Sequence, residues 1–371
     1  MRFPEFTEEW KAEQLDNIAT LSKGIGISKE QLSEDGEPCI LYGELYTKYK
    51  SEIIKQVESK TDINGSKLKR SKANDVIIPC SGETAVDIAT ARCVPFDNIL
   101  FGGDLNVISL HQYDGAFMSY QLNGKRKYDI ARVAQGVSIV HLYGEHLKAI
   151  KTYNPTLPEQ QKIAKLLSLL DDRIDTQNKI IEDLKKLKSA IRKKMFSLLK
   201  DEYTESFEIN QLLDYEQPTA YIVANDEYST DTSLTPVLTA NKGFILGYTD
   251  EKFGIYQKGE CIIFDDFTMD AKYVSFPFKV KSSAIKILTA KPNVNLRFMF
   301  EYLSYWELKS EEHKRHYISE IASLVIELPS KERQSIIASL MTSLNSKLDI
   351  EAKTKIRYEE QKRYLLSQMF I

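Results

Sequence analysis

The sequence predicts an α+β protein in which two mixed α/β domains alternate with two long helices that form an antiparallel coiled coil. Two observations support this prediction. Two long stretches lack glycine and proline, and the second half of the chain repeats the first at a fixed offset. Because a repeat of this size implies duplicated structural units, we also expect a pseudo-twofold internal repeat.

The first glycine- and proline-free stretch runs from Glu159 to Gln217, and the second runs from Ser330 to the C-terminus. Pro158 and Pro329 precede them and suit a first helical turn. Apolar residues in the first stretch alternate at spacings of four and three, which is typical of a coiled-coil helix. This stripe includes Ile163, Leu167, Leu170, Ile174, Ile181, Leu184 and Ile191.

The second stretch repeats the stripe 174 positions later, because Ile337 follows Ile163 by that interval. The matching residues are Ile337, Met341, Leu344, Leu348 and Leu365, and the more polar members of the same stripe are Glu351, Lys355 and Lys362. Two separate surface helices are the alternative. The matched register instead favours two helices that pack on each other.

The regions between the helices also repeat, with the same order of short segments in each half. "KANDVIIPC" (72–80) resembles "QKGECIIFD" (257–265), "EPCIL" (37–41) resembles "TPVLT" (235–239), and "FMSYQL" (117–122) resembles "FMFEYL" (298–303). We therefore predict four parts: a first domain at 1–157, a helix at 158–200, a second domain at 201–327 and a helix at 328–371.

Short apolar runs within the domains predict strands in a mostly antiparallel core. The predicted strands are Val76–Pro79, Val107–Leu110, Val137–His141, Tyr221–Ala224, Ile262–Phe264 and Ile285–Leu288, and a short helix is predicted at Phe298–Lys309.

Signatures of catalysis are weak. "NPTL" (154–157) only partly resembles the catalytic tetrapeptide of amino-methyltransferases, and we find no glycine-rich loop for S-adenosylmethionine or phosphate. "FDDFTMDAK" (264–272) has the residue types of a metal-dependent nuclease, but the spacing is too compressed, so surface acids beside a turn are the preferred interpretation. "HKRH" (313–316) is too short for a helical zinc pair and indicates a basic helix end. We expect a non-catalytic chain without a metal site.

The net charge of −3 gives no general indication of a nucleic-acid partner. Residues 201–327 hold 12 Lys and Arg against 21 Asp and Glu, so any DNA contact there depends on local basic patches. We find neither a signal peptide nor a membrane-spanning run, and the four cysteines form no CxxC pair. These features lead us to expect a cytoplasmic protein.

The segment "LPEQQKIAKLLSLLDDRI" (157–174) resembles the central conserved region of specificity subunits of type I restriction–modification systems. "LPSKERQSIIASLMTSLNSKLD" (328–349) resembles their distal conserved region, with a departure at Glu332-Arg333-Gln334. The start "RFPEFTEEWKAEQLDNIA" (2–19) and the segment "ARVAQGVSIVHLYGEHLKAIKTYNPTLPEQ" (131–160) resemble the entry and exit of a target recognition domain, and "RHYISEIASLVIELP" (315–329) is a looser copy of the exit.

The resemblance implies that each domain reads one half of a split double-stranded DNA target, and that the coiled coil acts as a ruler for the gap. It also implies that the helices dock two methyltransferase subunits, which bind S-adenosylmethionine and methylate adenine. Restriction subunits would add translocation and cleavage driven by ATP and Mg. This chain would bind no cofactor itself. Since the two domains differ in sequence, we expect an asymmetric target.

Basic and amide side chains on loops are the candidate DNA contacts, because such groups bind phosphates and base edges. A solvated surface loop is the alternative at each position. The candidates are Lys67, Lys69, Arg70 and Lys72, the turn with Lys125, Arg126 and Lys127, and Thr239, Asn241, Lys242, Lys272, Lys314 and Arg315 in the second domain.

Three other functions stay open from the sequence. The chain could be a coiled-coil interaction protein without DNA binding, although its basic loops argue against this. A fused enzyme would need methyltransferase or nuclease motifs that we do not find. A subunit that serves methylation alone, with no restriction partner, has the same sequence features as the leading interpretation.

Overall fold

The computed structural model describes residues 2–199, 204–240, 243–308 and 316–370. The chain divides into two compact units. Unit 1 comprises residues 1–179 and 352–371, and unit 2 comprises residues 180–351. Among the described residues, no helix is both long and apolar enough to cross a membrane.

Unit 1 is built on two four-stranded sheets. Its strands are β1 (Lys11–Gln14), β2 (Ala19–Lys23), β3 (Glu37–Ile40), β4 (Lys60–Thr61), β5 (Lys69–Arg70), β6 (Asp75–Pro79), β7 (Ser81–Gly82), β8 (Arg92–Val94), β9 (Leu100–Phe101), β10 (Leu105–Leu110), β11 (Val140–His141) and β12 (Lys151–Asn154). The main sheet has the order β2-β10-β6-β8 and is antiparallel, and the smaller sheet has the order β4-β3-β9-β5. In the smaller sheet, β3 and β9 run parallel.

Short helices cover these sheets before the first long helix begins. They are α1 (Leu15–Ile18), α2 (Glu44–Thr47), α3 (Ala85–Ile88), α4 (Gly115–Asn123), α5 (Lys127–Val133) and α6 (Gly144–Lys148), followed by the long helix α7 (Leu157–Leu198). The side chain of Asp114 caps α4 by accepting a hydrogen bond from the Phe117 amide at 2.7 Å.

Unit 2 repeats this plan. Its elements are β13 (Glu205–Glu208), α8 (Ile209–Leu212), β14 (Leu213–Glu216), β15 (Thr235–Leu238), β16 (Ile245–Thr249), β17 (Cys261–Asp265), β18 (Ala271–Val274), β19 (Lys279–Val280), β20 (Ile285–Ala290), α9 (Leu296–Tyr305), β21 (Val325–Leu328) and the long helix α10 (Lys331–Met369). The main sheet β14-β20-β17-β18 corresponds to β2-β10-β6-β8, and the parallel pair β15–β19 corresponds to β3–β9.

The structure confirms the predicted internal repeat. The paired segments fall on equivalent elements, namely β6 with β17, β3 with β15, and α4 with α9. The capping of α4 is also repeated, since Asn295 accepts a hydrogen bond from the Phe298 amide at 3.0 Å. Phe117 and Phe298 therefore occupy equivalent positions on helices that begin in the same way.

The long helices pack through the predicted stripe. In unit 1, a cluster on the first part of α7 packs with the last part of α10, and its stripe members are Ile163, Leu167, Leu170, Leu365 and Met369. In unit 2, the last part of α7 packs with the first part of α10 through Ile191, Ile337, Met341 and Leu344. Because the beginning of each helix pairs with the end of the other, the coiled coil is antiparallel. Ile174, Ile181, Leu184 and Leu348 are half-buried.

A buried glutamine joins each long helix to its unit. Gln160 accepts a hydrogen bond from the Asp114 amide at 2.9 Å and donates one to the Pro155 carbonyl at 2.8 Å. Gln334, 174 positions later, makes the same two contacts with Asn295 and Pro329, both at 2.9 Å. These backbone groups would otherwise lack partners at the helix starts, so both glutamines hold equivalent junctions.

Some predicted elements differ from the structure. Tyr221–Ala224 is not a strand, because a 3-10 helix occupies Pro218–Tyr221 and only an isolated bridge involves Ile222. Of Val137–His141, only Val140–His141 is a strand, and Val137 is 97% exposed. The predicted helix at 298–309 is α9, whereas Lys309 lies outside the described residues.

Candidate nucleic-acid interface

In each unit, two parallel strands end at the same edge of the smaller sheet. The Gly102 amide, after β9, donates to the Ile40 carbonyl at 2.9 Å. In unit 2 the Lys281 amide, after β19, donates to the Leu238 carbonyl at 3.1 Å. The loops that follow β3 and β9, or β15 and β19, therefore lie side by side.

Two further segments join this edge. The Cys80 amide donates to Asp104 at 2.7 Å, and the Leu142 amide donates to the Cys80 carbonyl at 2.8 Å. In unit 2 the Asp266 amide donates to Ala284 at 2.8 Å, and the His316 amide donates to the Asp266 carbonyl at 3.0 Å. Hence Cys80 is equivalent to Asp266, and Leu142 to His316.

We call these segments the edge loops. In unit 1 they are residues 41–43, 80–84, 102–104 and 141–144, and in unit 2 they are residues 239–240, 243–244, 266–270, 281–284 and 316–317. Chain segments far apart in sequence thus meet at one surface in each unit. Loops held on a rigid sheet are a common location for binding residues.

The two sets of edge loops share a backbone plan but carry different side chains. Those of unit 1 are rich in glycine and expose His141 and Tyr143, whose rings stack with centroids 6.1 Å apart. The Lys23 ammonium lies 5.6 Å from the Tyr143 ring centroid. Those of unit 2 expose Thr268 and Lys281 instead. The two surfaces therefore offer different hydrogen-bonding and aromatic groups to a binding partner.

Two acids predicted to lie on the surface are buried. Asp265 accepts hydrogen bonds from the Phe267 and Thr268 amides, both at 2.9 Å, and so shapes the turn. Asp266 accepts from the Tyr317 amide at 2.8 Å. The surface interpretation is therefore wrong for both, although Asp270 is exposed. No group of three or more His, Cys, Asp and Glu able to hold a metal occurs among the described residues.

The model of the type I restriction modification DNA specificity domain matches residues 7–186 and 202–360, which is most of the chain. The chain belongs to this family. The predicted resemblance is therefore confirmed, and the two matched ranges correspond to the two halves of the internal repeat.

Relatives in this family are named as specificity subunits. The chain is 39% identical to the EcoR124I/EcoR124II specificity subunit of Escherichia coli over 178 aligned positions, which cover 43% of each protein. It is 26% identical to the putative MjaX specificity subunit of Methanocaldococcus jannaschii over 250 positions, which cover 60% of this chain and 58% of the relative. In both comparisons the match spans less than two thirds of the relative.

The fold is shared over the whole chain with a solved structure. The crystal structure of the type I restriction–modification S subunit from M. genitalium has a TM-score of 0.68 to this chain at 17% identity. The match covers 100% of this chain and 97% of that one. This likeness supports the architecture of specificity subunits, with two mixed α/β units and an antiparallel pair of long helices.

The predicted basic loop of unit 1 lies at β5, beside β9. Lys67 and Lys72 are exposed, and Lys69 is half-buried. Arg70 forms a two-pronged ion pair with Glu37, with N–O distances of 2.6 and 2.9 Å. This hydrogen bonding raises the pKa of Arg70 and lowers that of Glu37. A DNA phosphate would have to compete with Glu37 for Arg70. The role of these basic residues in DNA binding stays a prediction.

The predicted turn after α4 is held by the protein itself. Lys125 is exposed, whereas Arg126 lies 3.2 Å from Asp129 and 5.3 Å from the Tyr153 ring centroid. Lys127 is half-buried, and its pKa is lowered by burial and then by the charge of Arg92. DNA contacts by these three residues also stay predictions.

Only part of the predicted set in unit 2 falls on described residues. Thr239 lies in an edge loop, where its amide donates to the Phe244 carbonyl at 3.0 Å. Lys272 is half-buried on β18, opposite Ile263. The remaining candidates lie outside the described residues: Asn241, Lys242, Lys314 and Arg315.

The edge loops of unit 1 were missed in the sequence, because no single loop is basic. The signal that could have found them is the repeat itself. Aligning β9 with β19 places Gly102 opposite Lys281 and thereby points to the segments that surround both.

Proposed function

We propose that this chain is the DNA-specificity subunit of a type I restriction–modification enzyme, and that it binds double-stranded DNA without catalysing a reaction. Each unit would read one half of a split target through its edge loops. The observation that carries the proposal is the pair of equivalent edges with different side chains. Two different readers in one chain imply an asymmetric target.

The antiparallel helices support the second part of the proposal. They would set the gap between the half-sites and dock two methyltransferase subunits, as half-site spacing follows protein geometry in other two-part readers. S-adenosylmethionine would bind to the methyltransferase subunits, and ATP and Mg to restriction subunits where these are present. Since the proposed target is chromosomal DNA, the proposal includes action in the cytoplasm.

The test is a genome-wide map of methylated adenine in the host with the gene intact, deleted and restored. We expect deletion to abolish methylation of one split, asymmetric motif with a fixed gap, and restoration to recover it. Retention of every motif after deletion, together with no binding of the purified complex to a randomised DNA library, would leave a coiled-coil interaction protein as the better interpretation.

A further inference from the structure

A polar side chain is buried at the second position of the central strand in both units. Asn106 on β10 and Lys286 on β20 are each 1% exposed. Their strand neighbours are apolar, Leu105 and Val107 in one unit and Ile285 and Ile287 in the other. The equivalence of β10 and β20 makes these two residues the same position of the repeat.

Both residues hold the chain segment that returns to the edge. The Asn106 amide group donates to the Leu142 carbonyl at 2.9 Å. The Lys286 ammonium donates to Gln217 at 3.0 Å and lies 3.4 Å from Asp266, whose other oxygen accepts from the Tyr317 amide. Leu142 immediately follows His141 and precedes Tyr143, the exposed aromatic pair of unit 1.

The fold uses only the nitrogen of the Asn106 side-chain amide. Its side-chain oxygen has no hydrogen-bond partner in the structure, and the same holds for the Ser22 hydroxyl on the neighbouring strand. Burial of this unpaired oxygen is unfavourable and offsets part of the gain from the bond to the Leu142 carbonyl, which a leucine at position 106 would leave without this donor. The polar residue is therefore better explained by what it holds.

Gly144 packs beside this buried oxygen. A Cβ atom placed on Gly144 would lie 3.5 Å from the Asn106 oxygen. Ser22, Lys23, Tyr143 and Gly144 line a cavity of about 260 Å³ at this point. Tyr143 and Gly144 thus border open space at the edge loops, where a small displacement of residues 141–144 would change what the surface presents.

We propose that Asn106 and Lys286 are positioning residues for base selection. Each would fix the segment that faces one half-site, Asn106 through Leu142 and Lys286 through Asp266 and Tyr317. The Asn106 amide in unit 1 and the Lys286–Asp266 ion pair in unit 2 would contribute to the different base preferences of the two units. This inference rests on the proposed function, and it concerns residues that act through the edge loops rather than by touching DNA.

The experiment compares Asn106→Leu with the wild-type chain, each in complex with its methyltransferase subunits, by selection from a library randomised across the split target. We expect Asn106→Leu to lose about tenfold discrimination at one or two base positions of one half-site, in line with the usual cost of a lost base contact. The other half-site should be unchanged, and the melting temperature should fall by only a few degrees, because the Leu142 carbonyl loses one hydrogen bond.

Ser119→Ala is the matched control, because Ser119 is also buried in unit 1 with an unpartnered hydroxyl but lies on α4. It should leave both half-sites unchanged. In unit 2, the double variant Lys286→Met with Asp266→Leu removes both charges together, and it should affect only the other half-site.

The outcomes distinguish a failure of the proposed function from a failure of the positioning role. If the wild-type complex selects no split target, the proposed function fails. If it selects one and Asn106→Leu has the same base preferences, or loses both half-sites equally, the positioning role is wrong. A loss shared by Ser119→Ala would also contradict it.

Discussion

A buried charge cluster joins the long helices in unit 1, and it gives a quantitative prediction. Lys362 on α10 lies 2.6 Å from Asp171 on α7 and also bonds to Glu52. The Tyr120 hydroxyl donates to the other oxygen of Asp171 at 2.7 Å. All four side chains are largely withdrawn from water, so Lys362 offsets the charge of the two carboxylates, to which the charge of Arg92 also contributes.

Replacing Lys362 with methionine should destabilise unit 1 by about 3–5 kcal/mol, the usual cost of removing one partner of a buried pair. Burial, followed by the charge of Glu52, raises the pKa of Asp171 above its ordinary value even with Lys362 present. When an acid has a raised pKa in the folded state, the folded protein loses stability as the pH rises through that pKa. The variant should therefore regain part of its stability as the pH falls from neutral toward the ordinary pKa of an aspartic acid, about 4.

The assay can follow one unit at a time, because the two tryptophans lie in different units. Trp10 packs against Phe117 and Phe370 in unit 1, and Trp306 packs against Tyr302 in unit 2. In a Trp306→Phe background, urea unfolding monitored by Trp10 fluorescence reports on unit 1 of the full chain.

Lys188→Met is the matched control, since Lys188 is the counterpart of Lys362 at the 174-residue offset. Burial lowers the pKa of Lys188, which means that folding disfavours its charge. Its replacement should therefore leave the stability of unit 2 unchanged or increase it, as followed by Trp306 in a Trp10→Phe background. A loss below about 1 kcal/mol for Lys362→Met, or one that does not depend on pH, would refute the reasoning on buried charge.

Two further predictions concern DNA. Arg70→Ala should weaken DNA binding at one half-site only, and Glu37→Gln should strengthen it by releasing the guanidinium of Arg70. Titration of the methyltransferase complex with target DNA measures both affinities, and unchanged affinity in both variants would remove Arg70 from the interface. Deleting one heptad from each long helix, residues 176–182 and 350–356, shortens each by about 10 Å, or about three base pairs. The gap in the methylated motif should shorten, or the complex should fail to assemble, and an unchanged gap would contradict the ruler.

The long helices could be predicted because their signal is local and strong. The stripe from Ile163 to Ile191 requires only the period of a helix, and the 174-residue offset required only a comparison of the chain with itself. The sequence also identifies Lys362 as a polar member of the second stripe. Its partners Asp171 and Glu52 could not be predicted, because the fold alone brings them together.

The strand predictions that were wrong relied on apolar character alone. Val137 and Ile139 suggested a strand, yet both are exposed in a loop that leads to β11. Tyr221 is buried, but it ends a 3-10 helix that begins at Pro218, since proline fixes the backbone angle that such a turn needs. Composition indicated burial at Tyr221 correctly and its backbone conformation incorrectly.

The candidate DNA surface was harder to predict, because the number of basic residues in a loop does not indicate where that loop lies in the fold. The basic residues near Lys67 are adjacent in sequence, whereas the edge loops combine segments as far apart as Leu41 and Tyr143. Parallel pairing of β3 with β9 creates that edge, and parallel pairing joins strands distant in sequence. The edge therefore becomes visible only when the strand order is known.

Comparison of the two units distinguishes the contacts that both units share from the contacts that differ between them. Gln160 and Gln334 make the same pair of hydrogen bonds, so this contact is required wherever a long helix leaves a unit. At the buried position of the central strand, by contrast, the copies hold Asn106 and Lys286, which have different charge, length and partners. The difference at this position, beneath the edge loops, is what the proposed reading of two different half-sites would use.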